Sequence, residues 1–179
     1  YRNMKKLFLV AFSLTINFDS FAAFESTYEP LQSEKVLFIN GNILDGEGNE
    51  LLDTDLLIGD GKIIAIGKGI GVEDKDVKII DAKNKWITPG IIDIHSHMGV
   101  YPAPSVRTSS DGNEATSPVT AEVWAEHSMW VQDPQYALAL KGGITTFHVL
   151  PGSANLIGGR GVTVKNLQRN TIQSMKYPD

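Results

Sequence analysis

The sequence predicts an α/β fold in which a small, partial β-sandwich precedes the first strand–helix–strand units of a parallel sheet. Three features carry that expectation. Short apolar runs separated by tight-turn residues fill positions 35–88. A strand, a helix and a second strand follow one another between Ile91 and Leu150. Pro89-Gly90 lies between the two regions and starts a new element.

Composition narrows the function. The chain is 42% hydrophobic and 21% charged, as soluble globular proteins are. Its net charge of -5 argues against a nucleic-acid partner, which needs a basic face. The absence of cysteine excludes disulfides, a thiol nucleophile and a thiolate metal site. Any metal must then be held by histidine, carboxylate or a modified lysine.

Positions 1–23 read as a leader. Met4 looks like the start, Lys5-Lys6 is a basic head, and residues 7–16 form an apolar run too short for a bilayer, which takes about 20 residues. Ser20-Phe21-Ala22 offers small residues at both cleavage positions, so the expected cut follows Ala22. An N-terminal helix packed on the domain is the other reading of this stretch. The leader implies a periplasmic or secreted protein with no membrane attachment after cleavage. Residues 24–34 are a polar linker.

Strands are expected at 36–39, continuing into Ile43-Leu44, then at 55–58, 63–66 and 77–82. Asp60-Gly61 between two apolar runs predicts a tight hairpin. Residues 45–48 and 83–85 read as turns, and 68–76 as a Gly-rich, charged loop. So few strands cannot close a sandwich core. The next strand is the run ending in His95-Ser96-His97. Alternation puts Asp93, His95 and His97 on one face, with Ile92, Ile94 and Ser96 on the other. Residues 98–118 are a long Gly, Pro, Ser and Thr loop, and 119–130 holds a helical turn or two. Asp133 should cap a helix with Pro134 at its first position, ended by Gly142-Gly143. A strand at 144–150 follows, then a Gly-rich loop at 151–161, a short strand at 162–165 and a polar stretch. The apolar faces of 91–94 and 144–150 are expected to lack cover.

Two imidazoles side by side at a strand end suit zinc or a similar divalent ion. Alone, His-x-His is also what two polar side chains on a half-exposed strand look like. The whole string ITPGIIDIHSH, with its IIDAKNKWITPG lead-in, resembles the amidohydrolase superfamily. AEHSMWVQDP, GITTFHVLPGSANLIGGRGVTVKN and MKYPD, in that order, resemble its secreted bacterial imidazolonepropionase-like group, over roughly residues 35–179. Asn84 departs from the glycine usual there, a small change because Asn tolerates the left-handed conformation.

The resemblance implies a metal-dependent (β/α)8 TIM-like barrel preceded by a composite sandwich that later strands complete. It implies His95 and His97 as ligands of a divalent metal, zinc first, and a small-molecule substrate with a hydrolysable C–N bond, such as a cyclic amide, an N-acyl compound or a dipeptide. The remaining ligands and the general base are then expected beyond Asp179. A barrel takes about 250 residues, so 89–179 can hold only its first βα units, and the chain reads as an inactive N-terminal part. A non-catalytic secreted module that binds metal or a partner is the competing reading.

Other positions are weaker. Asp93 either orients a ligand histidine or fills a polar layer. Ser153, Asn155 and Arg160 either line the substrate pocket or belong to a loop whose glycines only permit its turns. His148 reads as a core or pocket-rim histidine, with a place near the metal layer as the alternative; His127 reads as a surface residue or a support of the site, and Trp124, Trp130 and Phe147 as packing. Neither Gly-rich loop has the spacing of a phosphate or dinucleotide site.

Overall fold

The computed structural model describes residues 23–73 and 75–178, so the leader region expected at 1–23 lies, but for Ala23, outside the described residues. Strands β1 (Val36–Leu44), β2 (Glu50–Gly59), β3 (Lys62–Gly67), β4 (Lys78–Asp81) and β5 (Trp86–Ile87) form one sheet. Its order is β3-β2-β1-β4, with β5 also on β1. β1 runs antiparallel to β2 and parallel to both β4 and β5, so the sheet is mixed.

Local chemistry explains its turns. Asp60 and Gly61 both have positive φ, 51° and 70°, the requirement of a two-residue type I′ hairpin between β2 and β3. Between β1 and β2 the Asp45 carboxylate accepts the Glu47 and Asn49 amides at 2.8 and 3.1 Å. Asn84 adopts φ 61°, as its turn requires. Leu37, Ile43, Leu56 and Ala82 are buried.

β2 is longer than the strand expected at 55–58, because it begins at Glu50. The β1–β2 ladder shifts register between Phe38 and Gly41 and again between Gly41 and Ile43. Asn40 and Asp53 sit at φ 59° and 47° in this stretch. Such bulges break the alternation by which a strand is recognised. Asp55 braces the irregularity. Its carboxylate accepts the Asn40 amide at 3.0 Å and those of Gly69 and Ile70 at 2.9 and 3.1 Å.

The second sheet contains β6 (Ile91–Ser96), β7 (Ile144–Val149) and β8 (Val162–Lys165), in that order. β6 and β7 are parallel and α1 (Gln135–Lys141) lies between them in sequence, as expected. β8, expected as a short strand with no stated direction, adds an antiparallel neighbour to that parallel pair. It pairs antiparallel to β7, Val162 facing Val149 and Lys165 facing Thr146. The loop at 151–161 returns the chain beside the strand it has just left.

The faces expected to lack cover divide. On β6, Ile91, Ile92 and Ile94 are 53%, 61% and 76% exposed. On β7, Phe147 and Val149 are fully buried, contrary to expectation. They join Val100, Tyr136, Val162, Val164, Ile172 and Met175 in one core. The stretch after β8 supplies part of this cover. Lys165 donates its amide to Met175 O and Tyr177 donates to Thr163 O. Asn166, buried, donates through Nδ2 to Tyr136 O at 3.0 Å and Ile144 O at 2.8 Å, tying that stretch to α1 and β7.

Candidate metal centre

The histidines stand where β6 ends. Its last residue, Ser96, is buried and turned away from them, as alternation requires. The His95 and His97 rings are 5.3 Å apart between centroids and nearly perpendicular. Backbone bonds fix the strand end, with Leu150 N donating to Ser96 O at 2.9 Å. His97 is fixed further. Its Nδ1 is 2.9 Å from Leu150 O. A carbonyl only accepts, so Nδ1 carries a proton, and in the neutral ring the lone pair is then on Nε2. That is how a metal-binding imidazole is usually oriented by its surroundings.

Tyr101 was not singled out by sequence reasoning. Its ring stands edge-on to His97 at 5.6 Å. His97 O accepts the amides of Val100 and Tyr101, at 3.2 and 3.0 Å. Asn113 Nδ2 bonds the Tyr101 hydroxyl. A Cβ on either Gly112 or Gly152 would collide with Tyr101, so both glycines are required by close approach. Those glycines were the only available sequence signal for this packing.

Asp133 was anticipated only as a helix cap. It does accept the Gln135 amide at 3.0 Å. It is also almost fully buried, and it accepts Gly99 N at 3.1 Å and Ala103 N at 3.3 Å. The carboxylate therefore holds the loop that follows the histidines against the start of α1. Burial first, and the Asp133 charge second, push the Tyr136 phenol well above its ordinary pKa.

The other named residues lie elsewhere. Asp93 Oδ1 accepts the His95 backbone amide at 3.1 Å, an orientation of main chain rather than ring. Asn155 Nδ2 bonds Glu114 O, and also Ser117 O at 2.7 Å. It stitches the 151–161 loop to the long loop after β6. Ala154 N reinforces the stitch by donating to Asn113 Oδ1 at 3.2 Å. Arg160 stacks over Trp124, 4.5 Å from the ring centre. Ser153 is exposed on the same loop. His148 Nδ1 is 3.0 Å from Thr163 Oγ1, and His127 stands beside Phe24 with ring centres 4.9 Å apart. A cleft of about 490 Å³ lined by Val106, Asp111, His127 and Trp130 does not include the histidine pair.

The donor set fits a divalent metal in kind, since both groups are imidazoles and one has its second nitrogen already occupied. It falls short in number. Among the described residues no group of three or more His, Cys, Asp or Glu could hold a metal ion.

No family model matches the chain. Individual proteins do. An amidohydrolase, tasK, of Hapsidospora irregularis is 35% identical over 114 residues, 63% of this chain and 12% of that protein. A dihydroorotase of Bacillus cytotoxicus is 34% identical over 117 residues, 65% of this chain and 21% of that protein. The crystal structure of an amidohydrolase from Thermotoga maritima matches with a TM-score of 0.71 and 35% identity, over 80% of this chain and 37% of that one. These names are those of hydrolases acting on C–N bonds, and they support kinship with the amidohydrolase superfamily. The chain spans 12% and 21% of the two curated relatives and 37% of the solved structure.

Proposed function

We propose that the whole protein is an exported, metal-dependent amidohydrolase, and that these residues form its partial sandwich and the first units of its (β/α)8 barrel. Its substrate is a small molecule with a cyclic amide, N-acyl or dipeptide-like C–N bond, in the manner of the imidazolonepropionase-like group. One observation carries the reading. His97 Nδ1 is engaged by Leu150 O, which leaves Nε2 free next to the His95 ring. A divalent metal, zinc first, would supply a Lewis acid and lower the pKa of water at the ion to about 7. This chain's part is to bind and to orient: His95 and His97 offer nitrogens, and Tyr101 walls the His97 ring on one side. Further ligands and the general base belong to residues beyond Asp179.

The test uses the full-length protein. His95→Ala and His97→Ala should each remove most of the zinc found by elemental analysis, and nearly all hydrolysis of a panel of cyclic amides, N-acyl amino acids and dipeptides. Unchanged metal content would show that the pair is not the site. Metal lost from the variants, with no turnover by the parent on any substrate, would favour the secreted binding module.

A further inference from the structure

The cleft of about 490 Å³ beside Trp130 has the size of a small-molecule site and takes no part in the histidine pair. Pro104, Val106, Met129 and Trp130 give it apolar walls. Two lining residues hang from neighbouring points of the chain. Trp130 donates its amide to Gly99 O at 2.9 Å, and Asp111 donates its own to Val100 O at 3.0 Å. The cleft is therefore built by the fold and is largely formed before a ligand arrives.

Its polar lining leans towards acceptors. Ser109 and Ser128 each own one hydroxyl proton, and they give it to Val106 O at 3.1 Å and Ala125 O at 3.2 Å. Only lone pairs remain on those two oxygens. The amides of Ser109, His127 and Ser128 are likewise bonded to main-chain carbonyls. The Asp111 carboxylate is exposed and only accepts, and among the described residues no hydrogen bond or ion pair engages it. Thr108, His127 and the Trp130 indole keep side-chain donors. Among the described residues no lysine or arginine lines the cleft, so its fixed charge is that of Asp111. An adjoining cleft of about 230 Å³ shares Asp111, His127 and Ser128, and adds the carboxylates of Glu114 and Glu122. The two indoles of this loop differ in one respect. Arg160 stands over Trp124, 4.5 Å from the ring centre, whereas Trp130 is 41% exposed and carries no cation among the described residues. Of the aromatic side chains, an indole face attracts a cation most strongly.

We infer that this cleft binds a small organic cation, a primary ammonium on an apolar body, with the nitrogen at Asp111 and the body against Trp130. An ammonium brings a positive charge and three donors to a carboxylate and to hydroxyl lone pairs. The apolar walls and the indole cover the remainder of the molecule. Neither His95 nor His97 lines the cleft, so the inference stands whether or not the pair holds a metal.

The experiment titrates the full-length protein with benzylamine, and with benzyl alcohol as its uncharged counterpart, read by calorimetry and tryptophan fluorescence. Benzylamine should bind about tenfold more tightly, through one charge-assisted bond and one cation–indole contact. Asp111→Asn should abolish most of that preference and leave the binding of benzyl alcohol where it was. Trp130→Leu should weaken both ligands and remove the fluorescence change. His95→Ala should leave benzylamine binding unchanged. Should the cleft variants fail to fold, NMR of the parent decides: benzylamine should shift the Trp130 indole N–H resonance and leave those of Trp86 and Trp124 in place. No binding at millimolar benzylamine, equal binding of the two compounds, or a preference that survives Asp111→Asn overturns the inference. A shift at Trp86 or Trp124 in place of Trp130 does the same. Benzylamine binding lost in His95→Ala would put the amine at the histidine pair, which overturns this inference and leaves the proposed function standing. Tighter binding of Nα-acetyl-lysine amide than of benzylamine would assign the ammonium to a peptide side chain and overturn the free amine as ligand.

Discussion

Asp133 is the residue on which the surroundings of the histidines depend most. It is 2% exposed and accepts main-chain amides from Gly99, Ala103 and Gln135, with Gln135 Nε2 as a further donor at 3.0 Å. Removing the carboxylate leaves those donors without partners, and each such loss costs about 1–3 kcal/mol. Water reaching the new space would recover part of this, so Asp133→Ala should destabilise by about 3 kcal/mol, measured by urea unfolding. An effect under about 1 kcal/mol would mean that the loop does not need it. Gly152→Ala tests the other support. Its Cβ would meet the Tyr101 hydroxyl and the Asn113 amide, so the Tyr101 ring must shift. A crystal structure or ring NMR shifts of the variant should show Tyr101 displaced from His97. The side-by-side placement of His95 and His97 was legible in the sequence because alternation along a strand is local. Tyr101 was not, because only the fold brings Gly112 and Gly152 to its ring. Asp133 was half legible: its cap is a local signal, and its bonds to Gly99 and Ala103 are not.

At the scale of elements, the β1–β2 ladder turns on Asp55. Hydrogen bonds from Asn40 above all, then from Ile70 and Gly69, hold its carboxyl below the usual carboxylate range, with burial opposing them. Its pKa is thus lower folded than unfolded, so between the two values the unfolded chain binds more protons. The stabilisation is complete above the unfolded value of about 3.9 and is lost as pH falls through the folded one. Stability measured by urea unfolding from pH 6 down to pH 2 should fall less steeply for Asp55→Asn than for the parent. Parallel curves would remove Asp55 from the account. The hairpin gives a second case. Gly61 has φ 70°, and Gly61→Ala should cost about 1 kcal/mol, read as a lowered melting temperature. Asp60-Gly61 was readable because that turn demands those residues. The first half of β2 was hidden because Asp53 and its bulge interrupt the alternation. The direction of β8 was hidden as well, since Val-Thr-Val-Lys alternates identically whichever way the strand runs.

At the scale of the whole molecule, the exposed isoleucines are concentrated on strands. Ile91, Ile92 and Ile94 lie on β6, an edge strand of its sheet, and Ile63, Ile64, Ile66 and Ile79 lie on β3 and β4, the edges of the other. Uncovered apolar edges associate. Residues 23–179 produced alone should therefore elute as oligomers or precipitate, bind zinc weakly and show no hydrolysis. Ile92→Lys with Ile94→Lys should shift size-exclusion elution towards the monomer. A monodisperse parent with a cooperative melt would show that these faces need no cover. The bond from His97 to Leu150 also has a bearing on time. The two residues are 53 positions apart. At ribosomal rates of 5–20 residues per second, roughly 3 to 10 s separate their synthesis. During that interval no carbonyl selects which ring nitrogen keeps its proton, and β6 has no parallel neighbour. Until Leu150 is in place the imidazole can bind a metal through either nitrogen, so the choice of Nε2 waits on the second strand.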